Sequence, residues 1–73
     1  MIEITYGTYL FDNVPWEHID FAETQEEAIK KINDYIVSNN LYSAPYRRMW
    51  EQHDGAFLID FGSHLKFFKL EEK

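Results

Sequence analysis

The sequence predicts an α+β domain: a single antiparallel sheet of four strands, or five where one further strand-compatible segment joins it, with one α-helix packed on one face, in the order β-(β)-α-β-β-β. Three observations carry this prediction. The first ten residues after the initial Met alternate with a period of two. Residues 24–40 read as one capped amphipathic helix. Two turn dipeptides, Asp54-Gly55 and Gly62-Ser63, divide the last third into three strands.

In "IEITYGTYLF" the side chains of Ile2, Ile4, Tyr6, Thr8 and Leu10 alternate with Glu3, Thr5, Gly7, Tyr9 and Phe11. That period argues for a strand with the isoleucine side inward. Gly7 in its middle marks a bulge or a close backbone approach. "DNVP" is a turn, because Pro15 pushes Val14 out of the helical region. "WEHIDF" is the optional fifth strand, pairing back on the first as a hairpin.

Thr24 followed by Glu27 has the spacing of a capping box. Ala28, Ile29, Ile32, Tyr35 and Ile36 then form one apolar stripe at helical spacing. Glu23, Glu26 and Glu27 lie at the positive end of the helix dipole, where carboxylates are favoured. Asn39 and Asn40 end the helix, Asn substituting for Gly in the left-handed cap.

After the connector "LYSAP" the two turns define strands at roughly 46–53, 56–61 and 64–70, an antiparallel meander. If both connections are two residues long, His53 opposes Ala56, Phe61 opposes His64 and Leu58 opposes Phe67. One face then carries Trp50, Phe57, Ile59, Phe61, Phe68 and Leu70 with Arg48, His64 and Lys66, and the helix is expected there. The other carries Met49, Leu58, Leu65 and Phe67, rimmed by Arg47, Glu51, Asp60 and Lys69. One helix cannot cover both faces, so the second is expected to meet solvent or a partner.

The 73 residues read as one domain, 1–73, without a cysteine. Disulfides and thiolate metal sites are therefore excluded, and the core must come from packing alone. Two Trp, five Tyr and six Phe supply the apolar area for it. The N-terminus lacks the basic start and apolar run of a signal peptide, and no apolar run is long enough for a membrane helix. Cysteine usage and the absence of such segments fit a cytoplasmic protein, in a host cytoplasm if the chain is phage-encoded. The net charge of −6 is lopsided. Residues 1–40 hold eight acids against Lys30 and Lys31, whereas residues 41–73 balance five acids with five basic residues.

Several function classes are disfavoured on these grounds. Glu17, His18 and Asp20 are ligand types close together, but their spacing matches no metal motif with a geometric rationale. No nucleophile-elbow or phosphate-loop pattern occurs among three glycines. Neither catalysis nor any cofactor is expected. "YRRMW" and "HLKFFK" interleave cations with aromatics, as sheets that hold single-stranded nucleic acid do. Against that reading, seven basic residues are few, and Trp50 is expected in the core. The net charge also disfavours nucleic acid.

Protein binding is the favoured reading, with a single-stranded nucleic-acid-binding sheet module as the alternative. Helix capping accounts for the acids from Glu23 to Glu27, which leaves Asp12, Glu17 and Asp20 in the loop and Asp34 along the helix. These are expected to engage a basic protein surface, most specifically a nucleic-acid-binding cleft whose phosphates the carboxylates mimic. Met49, Leu58, Leu65 and Phe67 are expected to form a second, apolar contact face, for a partner or for a homodimer. In size and charge alone, the chain is similar to the small accessory and inhibitor proteins of phages and mobile elements.

Overall fold

The computed structural model describes residues 1–8, 15–41, 47–52, 54–63 and 65–73. Its elements are β1 (Ile2–Thr8), β2 (Glu17–Ala22), α1 (Gln25–Ser38), β3 (Arg48–Glu51), β4 (Phe57–Asp60) and β5 (Lys66–Glu72). All five strands form one sheet in the order β2-β1-β5-β4-β3, with every neighbouring pair antiparallel. The expected order of elements is observed, with "EHIDFA" as the fifth strand. Both expected units, the β1–β2 hairpin and the β3–β4–β5 meander, are present. They are joined at the centre by the β1–β5 pair, so α1 carries the chain from one edge of the sheet to the other.

The helix is held as its sequence demands. Thr24 accepts the Glu27 N–H at 3.1 Å, and the Glu27 carboxylate accepts the Glu23 N–H at 3.3 Å. The return bond thus reaches one residue before the cap. At the other end Asn40 takes a left-handed φ of 56°. Leu41 then donates to the Ile36 carbonyl and Asn40 to that of Val37, the double closure of a Schellman motif. Leu41 folds back onto the core, completing it.

Ala28, Ile32 and Ile36 are buried against Ile4, Ile59, Phe61, Phe68 and Leu70, with Tyr6, Ile29 and Tyr35 around them. The isoleucine side of β1 does face inward. Rings of Tyr6, Phe61 and Phe68 meet in pairs at 4.8–6.2 Å, and Tyr35 adds an edge-on contact to Phe68. Each such ring pair is worth about 0.5–1.5 kcal/mol beyond its buried area.

The meander departs from its expected register in two ways. Gln52 donates to the Ala56 carbonyl at 2.7 Å, so the turn between these two paired positions is three residues long instead of two. Gly55, at a φ of 84°, fills the left-handed position of this three-residue hairpin. A shift of one residue turns a strand over. Trp50 therefore pairs with Leu58 and Arg48 with Asp60 on the face away from the helix, while Met49 and Glu51 move to the helix face. Trp50 is 43% exposed, not in the core.

Between β4 and β5 the shift is two residues: Leu58 pairs with Lys69, not Phe67. Asp60 accepts the Gly62 N–H and Ser63 the Lys66 N–H, so residues 62–65 make a wider connection than a two-residue turn. An even shift keeps each residue on its face. That is why the expected core residues Ile59, Phe61, Phe68 and Leu70 remain on the helix side.

The face away from the helix is not bare. Ala56, Leu58 and Thr5 are buried there, and Leu58 is only 5% exposed. The indole of Trp16 lies across Gly7, where an added Cβ would sit 2.6 Å from the ring. Lys69 holds its ammonium 5.3 Å from the same indole. Of the two possibilities at Gly7, the close approach is the observed one. The sheet's bulge lies instead in β2.

Candidate functional site

That bulge organises the acidic flank. Ile4 pairs with Asp20 but Thr5 with His18, so β2 carries one extra residue, Ile19, against β1. In a regular strand Glu17 and Asp20 would point to opposite faces, being an odd number of residues apart. The extra residue brings both carboxylates to the helix side. They lie on an edge strand, the optional strand of "WEHIDF", and not in the loop to which the charge reading assigns them.

Two helix residues receive them. The Tyr35 hydroxyl donates to Glu17 at 3.2 Å. Lys31 places its ammonium 3.2 Å from Asp20 and 3.6 Å from Glu27, and donates to the Phe21 carbonyl at 2.7 Å. Asp20 also accepts the Phe21 N–H at 2.7 Å. That backbone bond, and then Lys31, hold the Asp20 carboxyl below its usual range, while Asp20 chiefly raises Lys31. Burial, and then the bond to Glu17, push the Tyr35 phenol up.

Asp34 is exposed one helical step beyond Lys31, on the same flank. Asp12 lies outside the described residues. From residue 17 to residue 38 the chain thus sets six carboxylates against Lys30 and Lys31. Asp20 and Glu17 are positioned by hydrogen bonds, and the charges of Glu23, Glu26 and Asp34 stand in solvent. On the opposite side of β2, His18 bonds Glu3 at 2.8 Å and its ring meets Phe21 at 4.8 Å.

The four apolar residues expected to form a contact face do not make one exposed patch. Leu58 is buried in the monomer, and Phe67 is half-buried opposite Gly7. Met49, 40% exposed, faces the helix side, and Leu65, 47% exposed, belongs to the β4–β5 connection. Of the basic residues, Arg47 donates to Asn33 at 3.0 Å, and Lys66 lies 5.5 Å from the Tyr6 ring. His53 and His64 lie outside the described residues.

Sequence reasoning missed Lys31 and Tyr35 as organisers of the flank. The i,i+4 spacing of Glu27 and Lys31 was a readable signal for the first. Nothing in the residue pattern marks Ile19 as a bulge. Among the described residues no three His, Asp or Glu side chains converge as a metal set, and no helix is long and apolar enough to cross a membrane. A cleft of about 70 Å³ beside Gln25, lined by Ile2, Phe57 and Leu70, is small beside ligand pockets of roughly 300–1,000 Å³.

The fold and flank define a small α+β protein with one acidic edge. Comparison with protein-family models, curated proteins and solved structures finds no match for this chain.

Proposed function

We propose that this chain is a protein-binding module, of the accessory or inhibitor kind, whose β2–α1 flank engages a basic surface on another protein. One observation carries the reading: the bulge in β2 gathers Glu17 and Asp20 on one side, and Tyr35 and Lys31 fix them there. Carboxylates held in place lose less freedom on binding than mobile ones, so their charge is more useful to a partner. Charge-assisted hydrogen bonds from arginine or lysine are the chemistry such a flank invites. In its most specific form, the partner surface is a cationic cleft that otherwise holds nucleic acid, with carboxylates standing where phosphates lie.

The test is affinity capture from a host lysate with the wild type and a Glu17→Gln, Asp20→Asn, Asp34→Asn variant. The expected result is a protein partner that resists nuclease, is released by salt, and is lost with the variant. Its association should slow most at low ionic strength, since charges of this kind act mainly on the on-rate. Capture that is indifferent to the variant and to salt would return the flank to a solvated surface. Loss on nuclease treatment would favour a nucleic-acid ligand.

A further inference from the structure

The opposite edge of the sheet plays no part in that reading. Among the described residues β3 is hydrogen-bonded to β4 alone, and all four of its residues are exposed. Because Gln52 donates inward to Ala56, alternate residues Gln52, Trp50 and Arg48 direct their backbone groups toward β4. Met49 and Glu51 direct theirs out of the sheet. Such outward groups are a template for another strand. β3 carries neither a bulge nor a proline to blunt it.

We propose that β3 is a homodimer interface, in which a second copy adds its own β3 antiparallel and extends the five-stranded sheet to ten. A two-fold axis perpendicular to the sheet keeps each face on its own side, so only residues of one face can oppose each other. With the axis at Met49, the two Met49 side chains meet, and their outward backbone groups exchange hydrogen bonds. Arg48 opposes Trp50 of the second copy on the face away from the helix, a cation over an indole. Arg47 opposes Glu51 of the second copy on the helix face, an opposite-charge pair. An axis at Trp50 would set Met49 against Glu51 and Arg48 against Gln52, with no charge pair. The strand is thus self-complementary in one register, as an isologous contact requires.

The long-range field agrees. The net charge of −6 resides entirely in residues 1–40, and β2 is at the far edge. A dimer through β3 joins the two weakly charged ends, where residues 47–60 hold two basic and three acidic residues, and leaves an acidic flank at each outer end. The proposal does not rest on the flank's having a partner.

Sedimentation velocity over a concentration series tests it, with circular dichroism confirming that each variant folds. The wild type should dimerise reversibly. Arg47→Glu and Glu51→Arg, each alone, should weaken self-association about tenfold or more, because like charges then face each other. An equal mixture of the two variants should dimerise again, since both contacts between positions 47 and 51 once more join opposite charges. Met49→Pro, which removes an outward N–H and no bond to β4, should also be monomeric. A wild type that stays monomeric throughout overturns the proposal and leaves the edge to a strand of another protein. Single variants that dimerise like wild type, or a mixture that stays monomeric, overturn it equally.

Discussion

At one edge of the sheet, β2 is bent by a bulge and fastened to α1 through Lys31 and Tyr35. At the other, β3 is four regular residues with Met49 and Trp50 in solvent. The bulge and carboxylates of β2 make it a poor template for a further strand, so what it offers a partner is side-chain charge. β3 offers backbone. Two edges of one small sheet are thereby suited to different contacts, and the difference comes from one extra residue in β2 and one extra residue in the β3–β4 turn.

The strongest way to break this comparison is through Leu58, which pairs with Trp50 across the β3–β4 ladder. If the face behind β3 is closed in the monomer, Leu58→Ala should cost about 2–5 kcal/mol in denaturant unfolding. Trp50→Ala, on the exposed strand beside it, should cost under about 1 kcal/mol. Equal costs would mean that Trp50 is as structural as Leu58 and that β3 is no open edge.

A smaller effect is expected at the entry to β2. Gly7→Ala would drive a methyl against the Trp16 indole, and overpacking of this kind costs about 1–3 kcal/mol. The indole fluorescence should shift as the ring is displaced. Unchanged stability and fluorescence would show that Trp16 does not anchor the strand. Next in size, Thr24→Ala removes the cap where β2 passes into α1, and should cost about 0.5–2 kcal/mol, read as a lower denaturant midpoint.

The smallest effect belongs to Asp20. Its folded carboxyl titrates below the ordinary value of 3.8. The stabilisation it contributes is therefore present above that value and is lost as pH falls through the folded midpoint. Being exposed, the pair should weaken with salt. A carboxyl titration by NMR should show the low midpoint, moving toward 3.8 in the Lys31→Met variant. No movement would assign the shift to the Phe21 N–H alone.

Most of the architecture was legible in the residues because it depends on local patterns. The Thr24–Glu27 spacing, the stripe from Ala28 to Ile36 and the Asn39-Asn40 stop define α1 from its own segment. The alternation of Ile2, Ile4 and Tyr6 orients β1. The candidate site was legible only in part. Glu17, Asp20 and Asp34 were recognisable as acids that capping does not use, but not as a set fastened by Lys31 and Tyr35.

What the sequence by itself determined, then, is the identity and order of the elements and which side of β1, β4 and β5 is apolar. These follow from helical and strand periodicity, and the even register shift at Gly62-Ser63 could not disturb them. Only the tertiary structure decided the faces of β2 and β3. A strand's side-chain period is two, so one extra residue between two paired positions reverses everything beyond it. Asp54-Gly55 is compatible with a two-residue or a three-residue hairpin, and the choice sends Trp50 to one face or the other. Ile19 is likewise an ordinary strand residue until β1 and the helix above it select the register that buries Ala22 and brings Asp20 within reach of Lys31. Local sequence sets the period; only pairing with a neighbour sets its phase.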